Sequence, residues 1–89
     1  MKILRYSTQY KKDFKRYKRR PETLQTLLEV FKMLENEEKL PKEFKEHKLK
    51  GQYKGCMECH IEEDILLIWL DEDSEFVYIL RLGTHSELF

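Results

Sequence analysis

Residues 64–70 read DILLIWL, and the six residues after Asp64 are all apolar. A run of six is far too short to cross a bilayer, which takes roughly 20 residues. It also lacks the apolar–polar alternation of a strand with one wet face. The run therefore predicts a central strand buried on both faces. The composition fits a folded, soluble chain: 89 residues, 40% hydrophobic and 38% charged, with three Gly and two Pro. The N-terminal segment MKILRYSTQYKKDFKRYKRR has no apolar h-region, so no secretory signal is read there. A cytoplasmic protein is expected, with its two cysteines reduced.

Periodicity orders the rest. KILRY reads as a short strand, and Ser7 and Thr8 after it are good helix N-caps. Tyr10, Phe14 and Tyr17 form an i, i+4, i+7 stripe on a basic helix that runs to Pro21. Pro21 suits the first turn of a second helix. There Leu24, Leu27, Leu28, Phe31 and Leu34 continue at helical spacing to about residue 38. The two helices predict a hairpin, followed by the polar connection ENEEKLPKEF. After residue 46 the period changes to two. HKLKG and QYKGCMECHI read as strands with Gly51 near the turn, and EFVYILRL follows DILLIWL as the last strand. This order predicts an α+β fold over residues 1–89 as a single domain. Its helices pack on one face of a mainly antiparallel sheet of about four to five strands.

The formal net charge is zero, but the charge is unevenly placed. Residues 1–20 carry nine Lys and Arg against one acid, Asp13. Residues 56–89 carry nine Asp and Glu against one base, Arg81. A cationic first helix with Lys11, Lys12 and Lys15 is a candidate contact for a polyanion such as RNA; the plain alternative is a solvated helix face.

Cys56 to His60 spell C-x-x-C-H, the attachment motif for covalent haem. On a strand, however, Cys56 and Cys59 differ by an odd offset and point to opposite faces. They can neither grip one haem nor close a disulfide without bending the strand. Zinc takes four ligands, usually two such pairs, and there is one. No metal and no cofactor is expected, and at least one cysteine is assigned to the core. The even offsets are more telling. Glu58, His60 and Glu62 share one face, with Cys56 before and Asp64 just after them. Met57, Cys59 and Ile61 share the other.

The chain has three histidines, His47, His60 and His85, each at or near the end of a predicted strand. Strand ends in an antiparallel sheet can converge, and imidazoles beside carboxylates can serve as acid and base. The alternative is that three polar residues fell at loop edges.

HKLKGQYKGCMECHIEEDILLIW followed by RLGTHSELF is similar to the YafQ branch of the RelE-type toxins of bacterial toxin–antitoxin pairs. The motif-bearing match covers about residues 47–89. The resemblance implies the RelE-like fold and a ribosome-dependent endoribonuclease that cuts mRNA in the ribosomal A site. It implies the bacterial ribosome and mRNA as partners, no membrane, and neutralisation by a small cognate antitoxin of the DinJ or RelB kind in a hetero-oligomer. A non-catalytic RNA- or ribosome-binding module of the same fold is the alternative. Position by position, the resemblance places functional residues at His47, Glu58, His60, Asp64, His85 and Phe89. The chain departs from the family at Glu58, where Asp is common, and in ending at Phe89.

Cleavage through the ribose 2′-hydroxyl needs a base, an acid and a stabiliser of phosphorane charge. His85 is assigned as the acid and His47 or His60 as the base. Glu58 and Asp64 are expected to orient the imidazoles. Arg81, without an acidic neighbour in its strand, is a candidate phosphate clamp, against a surface ion pair as the alternative. Lys54 is a weaker candidate for the same role. Phe89 is a candidate stacking surface for a base, or else a core plug. Gly83 and Thr84 are expected to set the turn that delivers His85, and Tyr53 and Trp69 are assigned to packing.

Overall fold

The computed structural model describes residues 1–89. Strand β1 (Ile3–Tyr6) leads into helix α1 (Thr8–Phe14) and helix α2 (Pro21–Glu35). Strands β2 (His47–Lys48), β3 (Met57–Glu62), β4 (Ile65–Leu70) and β5 (Phe76–Gly83) follow, and helix α3 (His85–Leu88) ends the chain. The sheet has five strands in the order β1-β5-β4-β3-β2. Strand β1 runs parallel to β5 and every other pair is antiparallel.

The apolar run is β4, and it is buried on both faces as its composition requires. Ile65, Leu67 and Trp69 join Cys59, Ile61, Val77, Ile79 and Leu82 under the helices, against Tyr10, Leu27, Val30, Phe31 and Leu34. Leu66 and Ile68 face the other way and pack with Cys56 and Leu88. No long helix covers that second face. A small cap of Leu49, Tyr53, Leu70, Leu80 and Leu88 does. The thin cap leaves room for a polar site beside it.

Three local expectations are corrected. Helix α1 stops at Phe14, not Pro21. Beyond Phe14 the chain winds in tight turns, with Tyr17 N–H donating to Phe14 O at 2.9 Å and Arg20 N–H to Tyr17 O at 3.0 Å. A continued helix would stack like charges at i,i+4, Lys12 on Arg16 and Lys15 on Arg19. Helix α2 closes at Glu35, because Glu37 enters the left-handed region at φ 58° and caps the last turn. QYKGCMECHI is not one strand. Gly51–Tyr53 form a 3-10 turn, Gly51 and Gly55 take φ of 73° and 90°, and pairing begins at Met57.

Strand β1 ends before β5 does, so the outer edge of β5 is left unpaired beyond Ile79. The next residues of the chain repair it. Ser7 Oγ donates to Leu80 O at 2.7 Å, and Asp13 Oδ2 accepts from Leu82 N–H at 3.0 Å. Ser7 Oγ also accepts from Tyr10 N–H at 2.9 Å, as the N-cap of α1. Ser7→Ala removes both bonds at once. It is expected to lower the unfolding free energy by about 1–2 kcal/mol, read by urea denaturation with an unchanged slope.

Candidate functional site

The sheet register builds the site on the second face. His47, Glu58, Ile68 and Arg81 lie in one row across β2, β3, β4 and β5. His60, Leu66 and Gly83 form the neighbouring row. Ordinary strand spacings put the His47 and His60 Cα atoms about 8 Å apart, and those of His60 and Gly83 about 10 Å. Gly83 is followed by Thr84 and His85 at the start of α3. The topology therefore gathers all three histidines along one end of one face. They do not touch one another. The cleft of about 500 Å³ that His60 lines runs beside α2, with Thr26, Glu29, Phe44 and Glu63 in its wall, and includes neither His47 nor His85.

Two of the rings are oriented by backbone carbonyls. His47 Nδ1 lies 2.8 Å from Lys45 O, and His60 Nδ1 lies 3.2 Å from Glu63 O. A carbonyl oxygen only accepts, so each Nδ1 carries a proton and each ring presents Nε2 outward. His47 Nε2 meets Glu58 Oε1 at 3.2 Å, a contact that needs a proton on one of the two. Glu58 is 5% exposed, and its Oε2 has no hydrogen-bond partner. A buried carboxylate oxygen without a donor costs stability.

The last turn of the chain is fixed more firmly. Thr84 caps α3, accepting from Glu87 N–H at 3.3 Å, while Glu87 Oε1 accepts from Thr84 N–H at 2.7 Å. Tyr17 donates to the same carboxylate at 2.6 Å, and Arg16 stands 3.4 Å from it. The Tyr17 bond first, then the bonds from Thr84, hold Glu87 below the usual carboxylate range. A Cβ at Gly83 would stand 2.9 Å from Glu87 Oε1, so a larger residue there would push this carboxylate out of its bonds. His85 is exposed and its ring stacks on Phe89 at 4.9 Å; Phe89 meets Tyr53 edge-on at 5.5 Å. Phe89 is 46% exposed and is not a core plug; Leu88, at 3%, fills that place.

Several residues sit differently from expectation. A bulge at Ile61 shifts Glu62 to the helix side, where it accepts from Thr23 of α2, so Glu62 leaves the row of Glu58 and His60. Asp64 orients no ring. Its Oδ1 accepts a long bond, 3.4 Å, from His85 N–H, tying the β3–β4 turn to α3. Lys54 is exposed beside Tyr53. Lys11, Lys12 and Lys15 are exposed on and just after α1, which packs on the helix side of the sheet, away from the histidines. Cys56 and Cys59 are free, buried and on opposite faces, in line with their odd offset. No three His, Cys, Asp or Glu side chains stand close enough to share one metal ion.

Arg81 has an acidic partner that its own strand does not reveal. Asp13 of α1, 0% exposed, accepts from Arg81 Nε at 2.8 Å and from Nη2 at 3.2 Å. Arg81 Nη1 donates to the Tyr53 hydroxyl at 3.1 Å, and that hydroxyl donates to Leu88 O at 3.3 Å. Asp13 is buried and Arg81 partly so, unlike an exposed surface ion pair. Asp13, Tyr53 and Glu87 are the site-supporting residues that periodicity missed. One signal was present for Asp13: it is the lone acid of the basic segment, and Arg81 is the lone base of the acidic one.

Burial pushes the Asp13 carboxyl up, but hydrogen bonds from Arg81, Leu82 N–H and Gln9 outweigh it and hold Asp13 below its ordinary range. A depressed value means that the unfolded chain takes up this proton first. The stabilisation is therefore complete above about pH 4 and is lost as pH falls through the depressed value. Asp13→Asn is expected to cost about 3–5 kcal/mol at pH 7, a gap that narrows in acid, as denaturation at pH 7 and pH 3 will read. Glu58→Leu is expected to have the opposite effect. It removes the orphan oxygen and frees exposed His47 to hydrate, raising the unfolding free energy by about 1–3 kcal/mol.

Comparison with known proteins shows the family and the fold. Residues 2–89 match the family described as "Bacterial toxin of type II toxin-antitoxin system, YafQ". The chain is 36% identical over 87 residues to the mRNA interferase toxin YafQ of Escherichia coli K12, covering 97% of this chain and 94% of the relative. A metal-bound toxin from Helicobacter pylori superposes with a TM-score of 0.89 at 36% identity, covering 100% of both chains. The toxin of the E. coli DinJ–YafQ toxin–antitoxin complex superposes with a TM-score of 0.86 at 34% identity, covering 99% of this chain and 97% of that one. With the helix pair, the five-stranded sheet and the row of His47, Glu58 and Arg81 in place, the chain belongs to the YafQ family of type II toxin–antitoxin toxins.

Proposed function

We propose that this chain is an mRNA interferase, an endoribonuclease that cuts mRNA in the ribosomal A site and thereby stops translation in the cytoplasm. What supports this reading is the register that sets His47, Glu58 and Arg81 in one row and His60 in the next, with His85 two residues beyond Gly83 at the end of that row. Cleavage begins when a base removes the ribose 2′-hydroxyl proton. O2′ then attacks phosphorus, and the 5′-oxygen leaves with a proton from an acid. The products are a 2′,3′-cyclic phosphate and a 5′-hydroxyl, and no cofactor enters the balance.

The hydrogen bonds favour His60 as the base. Its Nδ1 proton is held by Glu63 O, which leaves a bare lone pair on Nε2. The Nε2 of His47 is already engaged with Glu58, and a proton shared there suits charge stabilisation of the phosphorane. His85, exposed at the start of α3, is the acid. Phe89, half exposed and stacked on His85, offers a base a π-face. Asp64 holds the His85 backbone. Arg81 and Lys54 face the phosphate. Lys11, Lys12 and Lys15 form no ion pair within the chain and supply the contact to ribosomal RNA. Residues 1–89 act as one domain, and a small DinJ-like antitoxin neutralises it, as the E. coli relative is seen bound to DinJ.

Expression of the wild type is expected to arrest bacterial growth, and His85→Ala to relieve it. His60→Ala and His85→Ala are each expected to slow cleavage of ribosome-bound mRNA by about 10²–10⁴-fold. Equal arrest by wild type and His85→Ala would sink the catalytic reading. Charge reversal at Lys11, Lys12 and Lys15 abolishing the effect while histidine changes do not would favour a non-catalytic RNA-binding module.

A further inference from the structure

We propose that Asp13, far from the histidines in sequence and on the opposite side of the sheet edge, is a positioning residue for the phosphate-binding arginine. The proposal rests on the ribonuclease reading above and deepens it. A guanidinium has five N–H donors. Three of Arg81's are committed: Nε and one on Nη2 to Asp13, and one on Nη1 to Tyr53. Two remain, one on each Nη. The arginine side chain is 20% exposed, so it is not sealed from solvent. The uncommitted N–H groups of a guanidinium fixed in this way are donors that phosphate oxygens can accept.

Three features distinguish this from a simple structural latch. Arg81 shares its row with Glu58 and His47, the pair at the other end of the site. Its second anchor, the Tyr53 hydroxyl, bonds to Leu88 O, so the guanidinium is tied to the chain end that carries His85 and Phe89. A buried ion pair also stabilises a fold no better than apolar packing of similar volume. What Asp13 and Tyr53 supply together is a fixed orientation, which removes the rotamer entropy that a free arginine would lose on meeting the phosphate.

The charge argument yields a specific test. Asp13→Asn leaves Arg81 cationic and cancels its neutralising partner. The amide keeps one oxygen for Leu82 N–H but turns an N–H₂ group toward the guanidinium. If Asp13 mattered only through its charge, the variant would bind RNA more tightly and cleave faster. If it positions Arg81, ground-state affinity changes by no more than about 3-fold while the single-turnover rate falls by about 10²-fold.

The experiment measures single-turnover cleavage of mRNA on programmed ribosomes for wild type, Asp13→Asn, Arg81→Lys and the double variant. It is run well below each unfolding midpoint and normalised to the folded fraction. The expected result is a similar loss in both single variants and little further loss in the double, the mark of two residues acting as one unit. Tyr53→Phe, which keeps the ring and its packing, is expected to lose about 3–10-fold in rate with unchanged affinity, a weaker version of the same positioning effect. It decides the matter if Asp13→Asn does not fold. Full activity of folded Asp13→Asn overturns the proposal, as does full activity of Tyr53→Phe where the Asp13→Asn variant fails to fold. So does a double variant whose loss is the product of the two singles. Those failures are told apart from failure of the ribonuclease reading by the wild type: a wild type that cleaves nothing overturns both.

Discussion

The bond between Asp13 and Arg81 joins the two halves of this molecule. Helix α1 belongs to a strongly basic segment and β5 to a strongly acidic one, and each holds a single residue of the opposite sign. Those two residues find each other at the point where β1 ends and β5 runs on alone. The carboxylate satisfies an edge N–H of the sheet and the fork of the arginine in one stroke. Tyr17 and Arg16, a few residues on, take hold of Glu87 in α3. The end of one short helix, with the turn after it, thus holds both the arginine and the chain end bearing His85.

On the far face, the site depends on incomplete coverage. The central strand is buried on both sides, but by two helices on one and only a few side chains on the other. The thin cap leaves Glu58 inside the protein with one oxygen unsatisfied, next to a half-exposed imidazole. Such a group lowers stability and is retained where charge is needed in a low-dielectric setting. The same carboxylate in water would interact far more weakly with an imidazolium.

The acidic C-terminal half is an awkward surface for RNA, and the structure shows how the repulsion is reduced. Two acids are paired with cations, Glu87 with Arg16 and Asp71 with Lys2. The cations at Lys11, Lys12 and Lys15 remain unpaired on the other side. The basic patch and the histidine-bearing face thereby lie on separate surfaces, and salt screens the field of the exposed patch more than it does buried pairs.

How much was legible followed the range of the forces involved. The helix pair, the buried central strand, the N-cap at Ser7, the opposite faces of the two cysteines and the α+β order all come from periodicity and local backbone preference, which act within a few residues. The similarity of HKLKG through RLGTHSELF to the YafQ toxins is a separate matter, a resemblance of motifs to a known family. The early stop of α1 at Phe14, the bulge at Ile61 that carries Glu62 across the sheet, and the 3-10 turn at Gly51 were not legible, because small local gains there compete with contacts made elsewhere. Sequence alone determined which residues have two apolar neighbours and which chemistry the chain owns: three imidazoles, a lone arginine among acids, a lone aspartate among bases. Only the tertiary structure decided which of them meet. Pairing of residues 68 positions apart, as between Asp13 and Arg81, is set by strand register and by the desolvation of a buried charge, and neither quantity exists until the sheet has closed.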